Sequence, residues 1–197
     1  MTHRYIAIEG ADGAGKSTIA AAVVDRLRAA GRSVRLVREP GGTEIGEEIR
    51  RLLLHGSEMS PWTEALLFAA QRAQLVDEVV GPALEAGDLV VSDRSYFSSL
   101  AYQGEARGLG VEAVQSINEA GLAGVVPDLV VVLWLDPDVA LARQEELDRI
   151  GAVGEDFQRL VANSYRKLAE AEPERVRLVD ADRPVEAIVD EIMELIG

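Results

Sequence analysis

Apolar and polar positions along the chain follow two periods. Tyr5-Ile-Ala-Ile8 is a short apolar run of the kind a buried strand makes. It leads toward a helical pattern from Thr18 to Ala30, with Ile19, Val23 and Leu27 on one face and Asp25, Arg26 and Arg28 opposite. Gly31 suits the position just past a helix. Ser33 to Arg38 reads as a second strand and Glu39-Pro-Gly-Gly42 as a tight turn, and Ile45, Ile49, Leu52 and Leu53 form the apolar stripe of a helix ending near His55-Gly56. Ser60-Pro61 supplies an N-cap and a proline at N1; Ala65, Ala69, Ala73, Val76 and Val80 continue that helix until Gly81-Pro82 ends or kinks it.

Leu89-Val-Val91 is too uniformly apolar for a strand with one wet face and reads as an interior parallel strand. Gly104, Gly108 and Gly110 mark a loop before a helix over Val111 to Leu122, and Leu129 to Leu135 forms a fourth strand. Asp136-Pro137 opens a short helix reaching about Arg143. Gln144 to Gly154 is charged, flanked by glycine and too poor in apolar residues to build core, so it reads as a mobile lid. Phe157, Leu160, Val161, Ser164 and Leu168 resume a helical stripe, Val176 to Val179 is a last strand, and Val185, Ile188, Val189, Ile192 and Leu195 mark a terminal helix. Strands alternating with helices predict an α/β fold, a parallel sheet covered on both faces.

Between the first strand and the first helix lies Gly10-Ala-Asp-Gly-Ala-Gly-Lys-Ser17, which fits the phosphate-binding pattern G-x-x-x-x-G-K-[ST]. Glycines let successive N–H groups converge on phosphate oxygens, and the helix start presents its positive dipole end there. Gly10, Ala11, Asp12, Gly13, Ala14, Gly15, Lys16, Ser17 and Thr18 are therefore the candidate ATP-binding loop. Lys16 is expected to reach the β and γ phosphates, and the Ser17 hydroxyl to hold Mg²⁺. A glycine-rich turn matching by chance would need neither the strand before nor the helix after.

Composition narrows the partners. The 197 residues suffice for one α/β domain, with or without a small lid. A formal net charge of −14 argues against nonspecific nucleic-acid or anionic-membrane binding, so an anionic ligand must meet a local island of positive charge. Only Lys16 and Lys167 are lysines, against 18 arginines, and one of these two ammonium groups sits in the loop. The absence of cysteine excludes thiol chemistry and points to a reducing compartment, and two histidines leave little for zinc or histidine catalysis. No apolar run approaches a membrane span, and the N-terminus enters a strand rather than a signal peptide, so a cytoplasmic protein is expected.

Asp93 ends an apolar strand in a chain with a phosphate loop, the position of an acid that organises Mg²⁺ and its waters; otherwise it would cap the next turn. Arg94 beside it places a bidentate phosphate clamp at the ligand-binding edge of the sheet. Phe68 and Arg72 are i and i+4, so an aromatic plane and a fork of donors share one helix face. Taken alone, that pair would be a core phenylalanine and a solvated arginine.

Ser92-Asp-Arg-Ser-Tyr-Phe-Ser-Ser-Leu-Ala-Tyr-Gln-Gly104, Arg38-Glu-Pro-Gly-Gly-Thr43 and Glu64-Ala-Leu-Leu-Phe-Ala-Ala-Gln-Arg72 together resemble the bacterial thymidylate kinases, and the likeness runs from the first strand to Asp180-Ala-Asp182. The resemblance implies a P-loop nucleoside monophosphate kinase fold with a five-stranded parallel sheet in the order 2-3-1-4-5. It also implies one domain over 1–197 with a lid at about 144–154, a homodimer, and transfer of the ATP γ-phosphoryl group to dTMP, giving dTDP for dTTP synthesis. By motif position, Asp12 is expected to contact the dTMP sugar, Arg94 its phosphate, and Phe68 the thymine face. Arg72 is expected to bond the thymine edge, Ser98, Ser99 and Gln103 to line the pocket, and Tyr102 to crowd the 2′ position. Glu39 and Pro40 would form the acceptor-side turn, with Arg50 a further candidate, and Ser17 and Asp93 would hold Mg²⁺.

Some thymidylate kinases carry an arginine inside the P-loop, at the position that is Gly13 here; others bring arginines from the lid. This chain resembles the second kind, with Arg149 in the Leu147-Asp-Arg149 core and Arg143 upstream as candidate catalytic residues beside Lys16 and Arg94. Two departures are visible. Ser95 stands where the family commonly has an aromatic residue or histidine, and the lid carries fewer upstream arginines than many relatives. Rival readings are a kinase of another nucleoside or nucleotide and a nucleotide-dependent switch. The guanine-reading Asn/Thr-Lys-x-Asp motif is absent, since neither lysine has that context.

Overall fold

A computed structural model describes residues 3–143 and 149–197. Five strands, β1 (Tyr5–Glu9), β2 (Val34–Arg38), β3 (Leu89–Asp93), β4 (Leu129–Trp134) and β5 (Val176–Asp180), form one parallel sheet in the order β2-β3-β1-β4-β5. The expected α/β fold and strand order are therefore observed. The helices are α1 (Lys16–Ala29), α2 (Glu44–His55), α3 (Pro61–Leu75), α4 (Gly81–Glu85), α5 (Tyr96–Ser99), α6 (Val111–Leu122), α7 (Pro137–Ala142), α8 (Glu155–Ala171) and α9 (Val185–Ile196).

Successive strand residues point to opposite faces, and both faces are buried. Ile6 and Ile8 pack with Val91 and Val131 under Ile19, Val23 and Leu27 of α1 and Ile188 and Ile192 of α9. Tyr5 and Ala7 pack with Val90 and Val130 under Leu75, Phe97, Val114, Val161 and Tyr165. The Ser60 side chain accepts from Thr63 N with Pro61 in the first turn, as the sequence signal predicts. Among the described residues no helix is long and apolar enough to cross a membrane.

Two local readings change. The helix after Ser60 neither ends nor breaks at Gly81-Pro82: it runs through a π-helical turn, Val76–Val80, into α4. Pro82 stands in the first turn of α4, where its missing N–H costs little, and the wider turn absorbs the change in register. Gly104 is likewise not loop, because α5 continues as a π-helical segment, Leu100–Ala106. A Cβ at Gly104 would lie 3.1 Å from Val111 Cα, so this glycine serves close packing against α6 rather than a turn. Of the segment read as a lid, residues 144–148 lie outside the described residues, and a short 3₁₀ helix spans Gly151–Val153.

The loop from β1 to α1 is bound tightly into this frame. Gly13 has φ 85°, and a Cβ built there would lie 2.2 Å from the Ala140 carbonyl oxygen at α7. Gly13→Ala is expected to lower stability by about 2 to 4 kcal/mol, left-handed strain and overpacking combined. The measurement is the denaturant midpoint at constant m-value; a loss under about 0.5 kcal/mol would show that the loop relaxes freely.

Candidate active site

The site is set by strand pairing. Ile8 lies opposite Asp93 in the β1–β3 ladder, so the loop leaving β1 and the Asp93-Arg94 step leaving β3 emerge side by side at the carboxyl edge of the sheet. Gly15 caps α1 and Lys16 opens it. Lys16 is buried; its Nζ donates to Ala11 O at 2.8 Å and stands 3.8 Å from Asp12 Oδ1. Burial pushes this ammonium down to about 8, with Arg94 adding to the shift and Asp12 opposing it. Ser17 Oγ donates to Asp93 Oδ2 at 2.5 Å.

Those two oxygens suit Mg²⁺, which is commonly held by one or two protein oxygens while phosphates and water complete its shell. Among the described residues there is no cluster of three or more His, Cys, Asp or Glu side chains fit to hold a metal alone. Thr18 follows on the exposed side of α1, while Ala11 and Ala14 are buried under the loop.

Arg94 is a non-glycine residue at φ 73°, a strained backbone of the kind functional sites retain. Its guanidinium is paired with Asp12, lies 3.2 Å from Ser98 Oγ and 3.4 Å from Tyr102 Oη, and sits over the Tyr102 ring at 5.2 Å. Burial would raise the Asp12 pKa, but Arg94 and Lys16 outweigh it and hold the carboxyl below its usual range. Arg94 faces a cleft of about 380 Å³ lined by Asp12, Pro40, Leu54, Phe68, Ser98, Ser99, Tyr102, Gln103 and Ile150. A second cleft adjoins it through Asp12, Pro40, Leu54 and Arg94, and adds Lys16, Ser17, Arg38, Glu39, Arg50 and Asp93. Two neighbouring clefts thus meet at Asp12 and Arg94.

Phe68 lines the first cleft, but Arg72 does not. Arg72 is only 2% exposed, so it is no solvated arginine. Its Nε donates to Glu39 Oε2 at 2.5 Å, Nη1 to Ser99 Oγ at 3.2 Å and to Asn118 Oδ1, and Nη2 to Ser95 O at 3.1 Å. It stands behind the wall that Ser99 forms. Glu39 is buried too, and burial raises its pKa against the pull of Arg72. Arg50 Nη1 donates to Pro40 O at 2.7 Å, fixing the turn.

Neither lid arginine lines the two clefts. Arg143 pairs with Asp182 at 2.7 Å on an exposed surface. Arg149 Nε donates to Leu53 O at 2.8 Å, and Nη2 lies 2.8 Å from Glu64 Oε2. Glu64 is 1% exposed and also accepts from Gln103 and Arg107. Burial opposes its ionisation, but the bonds from Arg107 and Gln103 prevail and lower its pKa.

Sequence reasoning missed Glu9, Leu54, Glu64, Arg107, Ile150 and Tyr165. Glu9 carried a signal, as a charge closing an otherwise apolar strand immediately before Gly10, and Glu64 opens one of the quoted motifs.

Comparison with known proteins gives the family. A family model described as "Thymidylate kinase" matches residues 8–192. A thymidylate kinase of Symbiobacterium thermophilum is 46% identical over 196 residues, covering 98% of this chain and 92% of that protein. One from a Synechococcus species is 45% identical over 177 residues, 90% of this chain and 86% of its own. One from Bifidobacterium longum is 42% identical over 194 residues, 95% and 94% respectively.

Phosphate charge beside Lys16 should restore its full ammonium character. Between pH 8 and the ordinary lysine value near 10.4, triphosphate binding is then expected to take up a proton, close to one per site near pH 9. Calorimetry of ATP binding in buffers of different ionisation enthalpy measures this. Zero uptake at pH 9 would overturn either the lowered ammonium of the free protein or its place at the phosphates.

Proposed function

The chain belongs to the thymidylate kinase family and transfers the γ-phosphoryl group of ATP to dTMP, giving dTDP on the way to dTTP, and we propose how its residues divide that work. The observation that carries the division is the meeting of two clefts at Asp12 and Arg94, one with Lys16 and Ser17, the other with Phe68. Residues 10–18 hold the ATP phosphates, with Lys16 on the β and γ groups. Ser17 and Asp93 hold Mg²⁺, which when bound neutralises phosphate charge. Arg94 binds the dTMP phosphate, Asp12 the sugar, and Phe68 stacks on thymine against Ser98, Ser99 and Gln103. Tyr102 crowds the 2′ position, and Glu39-Pro40 shapes the acceptor side, held by Arg50.

Phosphoryl transfer asks chiefly for alignment and charge neutralisation. The acceptor oxygen belongs to a phosphate whose second pKa of about 6 leaves it deprotonated at neutral pH, so no base has to remove a proton. Asp12 and Asp93 act by position and charge. Arg72 acts on thymine through Ser99, whose hydroxyl its Nη1 bonds, its other bonds fixing the guanidinium plane.

We take residues 1–197 as one kinase domain with its lid at about 144–154, in the cytoplasm, as a homodimer. Ile45 and Leu52 of α2 and Trp62 and Leu66 of α3 support the dimer, because these large apolar side chains stay 42–53% exposed on neighbouring helices. We also take the lid-arginine subtype. Position 13 favours it, since an arginine there would carry its Cβ into the Ala140 carbonyl. A second reading of Arg149 follows from its contact with Glu64: it secures Ile150 over the acceptor cleft.

ADP formation assayed across the nucleoside monophosphates should be fastest with dTMP. In the same assay Phe68→Ala should raise KM for dTMP by roughly 5- to 150-fold, with loss of stacking, and change KM for ATP by less than about twofold. Equal effects on both substrates would make Phe68 a core residue only.

Arg149→Ala should lower kcat toward the roughly 10³-fold effect of a transition-state arginine, with KM for ATP little changed. A kcat kept within about threefold, under 1 kcal/mol of barrier, together with a raised KM for dTMP, would decide for the Glu64 contact instead.

A further inference from the structure

Glu9 closes β1, has no exposed surface, and has no part in the division of work given above. Its Oε1 accepts from Ser95 N at 2.7 Å, Ser95 Oγ at 2.7 Å and Ser98 N at 3.2 Å. Its Oε2 accepts from Ser98 Oγ at 2.6 Å and Tyr165 Oη at 2.7 Å. A buried carboxylate is tolerated only with such compensation, and here it ties β1 to the start of α5 and to α8.

Counting protons shows what this carboxylate does to its neighbours. A serine hydroxyl has one proton and two lone pairs. Ser98 gives its proton to Glu9, so only lone pairs remain for Arg94 Nη1 at 3.2 Å. Tyr165 also gives its proton to Glu9, so its 3.1 Å contact with Ser98 Oγ does not reverse that polarity. The Ser95 N–H and hydroxyl held by Glu9 belong to the residue directly after Arg94, whose backbone is strained at φ 73°.

We propose that Glu9 is a positioning residue for recognition of the acceptor phosphate. It fixes Ser98 as an acceptor toward Arg94 and pins the left-handed turn, so that the guanidinium is offered to the phosphoryl group in one orientation. This rests on the reading that Arg94 binds the dTMP phosphate. A carboxylate fits the task better than an amide, since every group facing it is a donor.

The ratio of thymidine to dTMP dissociation constants isolates phosphate recognition, because the two ligands differ only in that group. Glu9→Gln keeps the oxygen facing the two backbone N–H groups but puts an amide NH₂ toward Ser98 and Tyr165. It should weaken dTMP by about tenfold or more, the effect of one charge-assisted hydrogen bond, and thymidine by less than about twofold. Ser98→Ala should lower the thymidine-to-dTMP ratio by a similar factor, whatever its common effect on both ligands through the cleft wall, and the double variant should lower it little further than either single one, since both cut one relay. Arg94→Met is the reference. If it leaves the ratio unchanged, the assignment of Arg94 fails and the proposal with it. If it collapses the ratio while Glu9→Gln and Ser98→Ala keep it, the proposal alone fails. Equal weakening of thymidine and dTMP by Glu9→Gln would reduce Glu9 to a purely structural role. Should Glu9→Gln not fold, Ser98→Ala decides by the same ratio.

Discussion

The pairing of β1 with β3 is the constraint on which the site depends. Tyr5 opposite Val90 and Ile8 opposite Asp93 bring the end of one strand, where the phosphate loop begins, against the end of the other, where Asp93 and Arg94 begin. Slipping this register by one residue would turn every β3 side chain to the other face and separate Ser17 from Asp93. The register is held by apolar residues with no chemical role: Ile6, Ile8 and Val91 on one face, Ala7 and Val90 on the other. The Ser17–Asp93 contact is thus a consequence of core packing, and the strand order that puts β1 between β3 and β4 opens the crevice where ligands enter.

A second layer of order comes from buried carboxylates. The chain is acidic overall, yet Lys16, Arg38, Arg50 and Arg94 gather at one sheet edge. Glu9, Glu39 and Glu64 are each less than 5% exposed, and each organises donors around the clefts: Glu9 at Ser95 and Ser98, Glu39 at Arg72, Glu64 at Gln103, Arg107 and Arg149. Removing one partner from such a pair is costly, about 3 to 5 kcal/mol, because the other charge is left buried. Their net contribution to folding is small by comparison. What they supply is orientation, which a long flexible arginine otherwise lacks.

The periodic signals were legible because each is local. Strands of uniform apolarity, the Ser60-Pro61 start and the phosphate loop all follow from short-range rules, and the family motifs placed Phe68, Ser98, Ser99 and Tyr102 where the cleft wall is found. Two glycines misled for one reason. Gly81 and Gly104 read as breakers, yet both lie in or beside π-helical turns that carry the helix onward, and at Gly104 close approach to Val111 of α6 accounts for the glycine. The burial of Arg72, Glu9 and Glu64 was illegible for another. Their burial depends on segments far apart in sequence, such as Asn118 for Arg72 and Arg149 for Glu64, which no local pattern connects.

Gly13 links these themes to catalysis. Its positive φ and its closeness to Ala140 O leave no room for a side chain, so the loop can offer phosphates its N–H groups and Lys16 but no guanidinium of its own. Further positive charge on the transferring group must come from outside the loop. Arg94 is already paired with Asp12 and shares Ser98 and Tyr102, so it is aimed at the cleft that Phe68 lines. On the proposal that Arg94 takes the acceptor phosphate, further charge on the donor side would come from an arginine outside the loop. Delivery by a separate segment suits a phosphoryl transfer that competes with water, because the full charge then assembles only when both nucleotides are in place.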